Sequence, residues 1–324
     1  MHEDGGMFQA IATAHTIPEA VDNAAVDHLE QRQVWVPFHF FPGGEGETLS
    51  EKLVCRCDSA MAQEMVANHV DFAVANLDQY GLALMGITAH VYADTFSHYG
   101  FSGVSSRANK VDGTSFELDV KDPGVRAYIM GKFSAFLTKY SPRFLIRNYR
   151  NFVSKGASVA TGALGHGAVG TYPDRPFLRW RFRYLDAKDS GWRDNQVTFL
   201  AGCRQLHGAF SDFADKAGIS ENPVAFDKIE GVVKQILAVE GAKDKRIQSW
   251  IDAIEAGKLF ANKQSDEALY YWKHAWEQQK DDFEYLEHSH EMREKDVYRF
   301  HQAAIYHRDY TLKYLLPKHG IVVT

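Results

Sequence analysis

Between Leu82 and Phe101 the chain runs through apolar and small residues that are interrupted by one polar motif, His90-x3-Asp94-x3-His98. On a helix of 3.6 residues per turn a four-residue step advances about 40°, so all three side chains project from one face, one turn apart. A helix this apolar has to be buried, and an unpartnered carboxylate in a core is costly. Three such groups in register need a shared partner, which a cation supplies. From position 90 to position 98 is about 12 Å, too far for one ion to sit among all three. The spacing therefore places Asp94 in the middle, ligating beside His90 and bridging toward a second ion, with His98 nearer that ion or the substrate. The plainer alternative is a pair of buried histidines hydrogen-bonded to Asp94 and to main-chain carbonyls.

Composition narrows what else can hold such a centre. Three cysteines in 324 residues allow neither a disulfide scaffold nor a four-cysteine zinc site. Fifteen histidines are available instead, and two of them stand in unusual surroundings. His39 lies in Pro37-Phe38-His39-Phe40-Phe41-Pro42, an aromatic, proline-bounded segment that buries an imidazole. His166 lies in Gly162-Ala163-Leu164-Gly165-His166-Gly167-Ala168-Val169-Gly170, where glycines let backbone approach a ligand closely. The expected metal ligands are therefore His90, Asp94, His98, His39 and His166, with His2, His15 and His28 as further candidates near the N-terminus. A core histidine bonded to main chain is the alternative for His39, and a glycine-rich turn with an incidental histidine is the alternative for His166.

The chain carries a net charge of −6, but Arg126 to Arg193 holds 13 Lys or Arg against three Asp. Within it Leu178 to Tyr184 alternates apolar and basic residues, as an extended strand does. Arg175, beside a turn, and Arg179 are the candidate substrate contacts, because a guanidinium fork matches phosphate oxygens. A solvated strand face over an aromatic core explains Arg181 and Arg183 equally well. The acidic balance disfavours nucleic acid as a partner.

Elsewhere the periodicity is helical. Helices are expected over 59–99, split near Gly81, from Asp122-Pro123 to Ser141-Pro142, and over 197–217, 223–239, 244–256, 266–291 and 295–316. The expected fold is mainly α, a multi-helix globule with minor extended segments near 35–41 and 178–184. It is read as a single domain over 1–324, with the metal-site core in 1–200 and a helical portion in 201–324. The 18 uncharged residues from Gly156 to Pro173 include five glycines and are too polar to span a membrane, so no transmembrane segment is expected. No signal peptide is visible, which makes the cytoplasm the expected compartment, with delivery by a specialised secretion route left open. Walker, Gly-x-Ser-x-Gly and His-Glu-x-x-His patterns are all missing, and no histidine is followed directly by aspartate.

The blocks Pro37 to Pro42, Ala89-His90 through Phe101-Ser102-Gly103, Gly165-His166-Gly167-Ala168-Val169 with Thr171-Tyr172-Pro173-Asp174-Arg175-Pro176, and the helix from Phe300-His301 to His307-Arg308 resemble an uncharacterised bacterial family. A narrower likeness links His90 and Asp94 to the all-helical zinc-dependent phospholipase C and single-strand nuclease superfamily. That resemblance implies a cluster of metal ions that hydrolyses phosphate esters, with His98 in the place of a later histidine. The step from Asp94 to His98 is shorter than in those enzymes, and no later His-x3-Glu helix follows.

These readings lead to one expectation and its rivals. The expected function is metal-dependent hydrolysis of a phosphoester, with one or two divalent ions, zinc above all, activating water. Asp94 would ligate and orient that water, His98 would protonate the leaving oxygen, and Arg175 would hold a phosphate oxygen. The partner would be a phosphate-containing small molecule or lipid. The rivals are a non-catalytic helical metal-binding or interaction protein and a delivered toxin or effector domain.

Overall fold

The computed structural model describes residues 11–14, 31–140, 165–220, 223–260, 273–285 and 293–323. The end of the helix expected to reach Ser141-Pro142 and the outer parts of the 266–291 helix fall outside them.

The fold is mainly α with a small antiparallel sheet. Helix α1, Ala60–Ala75, starts where the Ser59 hydroxyl accepts from the Ala62 amide at 3.1 Å, a cap that satisfies one of the free N–H groups of the first turn. It buries Met61, Met65, His69, Val70 and Ala73. The chain then turns through Leu77–Gly81 into α2, Leu82–His98. Gly81 is required at the corner, because a Cβ there would stand 2.3 Å from the Ala73 carbonyl oxygen. Helix α3 is Pro123–Tyr140, with proline in its first turn, where the missing N–H is not needed. Four longer segments and one shorter follow: α4 Asn195–Lys216, α5 Phe226–Leu237, α6 Lys243–Glu255, α7 Lys273–Tyr285 and α8 Asp296–Tyr310.

Helix α2 packs against α1, α4 and α8. Leu84, Met85, Ile87, Thr88, Val91, Tyr92, Thr95 and Phe96 are buried, so most of its circumference faces protein. Only the line through Leu82, Gly86 and His90 stays open. The helix ends at Arg193, a buried guanidinium that donates to the carbonyls of Tyr99 at 2.9 Å and Ser97 at 3.0 Å. It also lies 3.6 Å from the Tyr99 ring. A cation there satisfies carbonyls that the last turn leaves free and fixes where α2 stops.

A second core surrounds the sheet. Strand β1, Glu117–Asp119, pairs with β2, Arg179–Arg181, which pairs with β3, Arg193–Asp194, all antiparallel. The alternation read from the sequence is a solvated face over an aromatic core. Trp180, Phe182 and Leu178 are buried, while Arg179 and Arg181 pair outward with Asp119 at 2.8 Å and Glu117 at 2.7 Å.

Of the segment 35–41, expected to be extended, residues 35–38 are instead helical and 39–40 form a turn. A turn of π-helix over Gln31–Trp35 leads into Val36–Phe38, and the amides of His39 and Phe40 both donate to the Trp35 carbonyl, at 3.1 and 2.8 Å. Pro37 stands in the first turn of that short helix, where it removes no needed donor. Alternating proline and aromatics suggested a strand, but burial of Val36 and Phe38 between α2 and α8 overrides that preference. No helix among the described residues is long and apolar enough to cross a membrane.

Candidate metal centre

The stripe on α2 points at the turn after Val36–Phe38. His39 Nδ1 stands 3.4 Å from His90 Nε2, and each lies 3.5 Å from Asp94 Oδ2. These three atoms make a nearly equilateral triangle. The Asp94 oxygen is buried and accepts no hydrogen bond, although three imidazole nitrogens stand around it, the third being His98 Nδ1 at 3.6 Å. A buried carboxylate oxygen without a donor is expensive, so its surroundings require a positive partner.

A second group adjoins the first. His98 Nε2 lies 3.1 Å from Asp174 Oδ1, and His166 Nε2 lies 3.9 Å from Asp174 Oδ2. His98 thus spans both groups, with one ring nitrogen beside Asp94 and the other beside Asp174. Both sets, His39 with His90 and Asp94, and His98 with His166 and Asp174, are positioned to hold a metal ion.

The outer hydrogen bonds determine which nitrogen is free. His39 Nε2 donates to the Thr13 carbonyl at 2.9 Å, His98 Nδ1 to the His39 carbonyl at 2.7 Å, and His166 Nδ1 to the Gly170 carbonyl at 2.7 Å. A carbonyl can only accept, so each of those nitrogens carries the hydrogen. The opposite nitrogen, the one facing the carboxylates, is left to receive a proton or an ion. Fixing a tautomer through a main-chain acceptor is the common way of orienting a metal-binding imidazole.

Phe40 templates this arrangement. Its ring stacks on His98 at 4.9 Å between centroids and lies 5.6 Å from His166. Gly165 permits that contact, since it has φ +53° and a Cβ on it would meet the Phe40 ring at 2.2 Å. Asp174 and Arg175 are held by Asn195, the first residue of α4. Its buried amide donates to the carbonyls of Tyr172 and Arg175, both at 2.8 Å, and accepts from Trp180 Nε1 at 3.1 Å. Asn195→Ala is expected to lower unfolding free energy by about 2 kcal/mol, because it strands buried carbonyls. It should also weaken metal binding at the His98, His166 and Asp174 group while sparing the other; denaturant titration and metal stoichiometry check both effects.

Charge is concentrated here. Burial pushes His98 down, but the Asp94 carboxylate, the hydrogen bond to Asp174 and its charge, and the His39 carbonyl outweigh it and raise the imidazole to about 9. With Nδ1 committed to the His39 carbonyl, the atom that gains the second proton is Nε2, which faces Asp174 Oδ1 at 3.1 Å. Burial resists ionisation of Asp174, yet His166, His98 and Arg175 hold its carboxyl well below the usual carboxylate range. His166 is lowered by burial, with Asp174 pulling the other way.

Arg175 is buried, donates to Thr171 Oγ1 at 3.1 Å, and lies 5.5 Å from the Tyr128 ring, while its Nε has no partner. Arg246 on α6 likewise has a buried Nε without a partner, and burial together with the charge of Arg175 lowers its pKa.

The structure therefore brings His39, His90, Asp94, His98 and His166 together, with Arg175 next to Asp174. Arg179 is not among them: it pairs with Asp119 on the sheet, and its guanidinium lies 4.4 Å from the Trp192 ring. His2, His15 and His28 lie outside the described residues. Sequence reading missed Asp174 as a ligand, Asn195 as its support, and Arg246. The signal for Asp174 was its place eight residues after His166 in the same loop-rich block; nothing local marks Asn195 or Arg246.

Fold and site together define a mainly helical protein with paired histidine and aspartate groups suited to metal ions. The chain belongs to the Family of unknown function (DUF6765), which matches residues 1–315. No curated protein and no solved structure matches it.

Proposed function

We propose that this protein is a metal-dependent phosphoester hydrolase with a two-ion centre, and that zinc is its metal. One observation carries the reading: the triangle of His39 Nδ1, His90 Nε2 and Asp94 Oδ2, with edges of 3.4 to 3.5 Å around an oxygen that accepts no hydrogen bond. Ligand atoms about 2.0 to 2.1 Å from a tetrahedral zinc stand roughly 3.3 to 3.4 Å apart. Three protein ligands leave a fourth position for water or substrate, as catalytic rather than structural zinc sites do.

A metal in this position supplies hydroxide at neutral pH by lowering the pKa of bound water. The protein's own groups do the rest. Asp94 holds one ion and, through its nearness to His98, couples it to the other. His98 has only Nε2 free, since Nδ1 is committed to the His39 carbonyl, so that single atom serves either as a ligand or as a proton donor; its place beside His166 and Asp174 favours the ligand role. Arg175, with Arg246 near it, carries unsatisfied guanidinium N–H groups of the kind that pair with phosphate oxygens. A pair of like charges beside the centre favours an anionic substrate.

Elemental analysis of untagged protein, followed by a panel of chromogenic phosphomonoesters and phosphodiesters with zinc, manganese and magnesium, tests the proposal. The expected result is one to two equivalents of zinc and turnover of at least one ester, abolished by a chelator and restored by zinc. Metal at background level removes the proposal. Stoichiometric metal with no turnover of any ester replaces it with a non-catalytic metal holder.

A further inference from the structure

The open line of α2 floors a cavity of about 640 Å³. His39 and His90, two corners of the triangle, form part of its wall, so the cavity and the metal centre are continuous. Most of the remaining wall is apolar, and four aromatic rings contribute to it: Phe38 from the turn beside His39, Tyr80 from the corner before α2, Trp276 from α7 and Phe300 from α8. Trp276 and Phe300 meet edge to face at 5.5 Å, which makes an aromatic corner opposite the helix. Gly86, one turn before His90 on the same face, lines this space, and a Cβ there would project into it with nothing within 4 Å. A cavity of this size encloses most of the surface of a small organic molecule.

We infer that the substrate is an aryl-bearing phosphoester whose ring fills this cavity while its phosphoryl group lies at the His39 and His90 end. The inference rests on the hydrolase reading for the phosphoryl group, and on the cavity alone for the ring. Aromatic walls favour an aromatic guest through edge and face contacts beyond simple area burial. A bare phosphate or a small alkyl ester would leave that apolar surface wet and gain nothing from it.

The probe is 1-naphthylphosphonate, which has no ester bond to hydrolyse, titrated into the zinc-loaded protein against methylphosphonate, with tryptophan fluorescence and calorimetry as readouts. The naphthyl compound is expected to bind at least tenfold more tightly. In Gly86→Leu, which fills the cavity from its floor, that advantage should fall at least tenfold while zinc content and thermal midpoint hold. Equal affinity for the two phosphonates overturns the inference, as does an unchanged naphthyl preference in Gly86→Leu. If that variant loses zinc, Gly86→Ala, which intrudes less, is titrated instead and should still weaken naphthyl binding measurably; an unchanged preference there is equally fatal. Naphthylphosphonate binding without turnover of any ester would remove the hydrolase reading and leave the ring site standing.

Discussion

Asp94→Asn is expected to lower metal affinity by at least about 100-fold, since changes to groups that merely orient ligands already cost 10- to 100-fold. The substitution keeps the shape of the side chain and removes its charge. An ion held with His39 and His90 would lose its only carboxylate, and the neighbouring group would lose the negative charge next to His98. Zinc should raise the thermal midpoint of the wild type and leave that of Asp94→Asn nearly unchanged, because an ion stabilises only the state that binds it. A purely structural cluster of histidines and aspartate would behave otherwise: wild type and variant would carry the same trace metal, and neither midpoint would respond to zinc.

Acid should unfold this protein through a different pair of histidines. His69 on α1 and His307 on α8 meet in the core, Nε2 to Nδ1 at 2.9 Å, and His307 Nε2 donates to the Pro37 carbonyl at 2.8 Å. Both rings are fully buried. Burial lowers His307 to about 4, and burial together with the charge of His307 holds His69 well below the usual imidazole range. In the unfolded chain each titrates near 6.5. Between those values the unfolded chain binds more protons than the folded one, so stability is complete above about pH 6.5 and declines as the pH falls toward 4. His307 alone should account for a loss of roughly 3 kcal/mol across that window, at about 1.4 kcal/mol for each pH unit. Denaturant unfolding at pH 7.5 and 4.5 measures it, with His307→Gln expected to flatten the dependence. A wild type with the same stability at both pH values would exclude this account. Because the Pro37 carbonyl belongs to the turn that carries His39, metal binding should fall along with stability.

The long helices were legible because their burial is one-sided or nearly complete, and apolar spacing records that directly. The stripe at 90, 94 and 98 was legible for the same reason, since its polar groups break an apolar pattern at a fixed interval. His39 and His166 stood out by their neighbours alone. Asp174 did not, because it sits in an aperiodic loop whose position depends on hydrogen bonds from Asn195 across twenty-one residues of chain. The start of the segment 35–41 departs from its extended local preference because contacts of Val36–Phe38 with α2 and α8, far along the chain, hold those residues helical. Which nitrogen of each imidazole faces inward is likewise a tertiary property, set by the carbonyls of Thr13, His39 and Gly170.

The aromatic corner made by Trp276 and Phe300 comes from α7 and α8, whereas all six groups of the centre lie between positions 39 and 174. On the proposed reading, Trp276 and Phe300 bring ring contacts from the C-terminal helices to a cavity whose other aromatic rings, Phe38 and Tyr80, lie in the stretch that carries the metal groups. Exchanging those two rings for other bulky side chains is expected to change which guest the cavity accepts while leaving the six metal-facing groups in place.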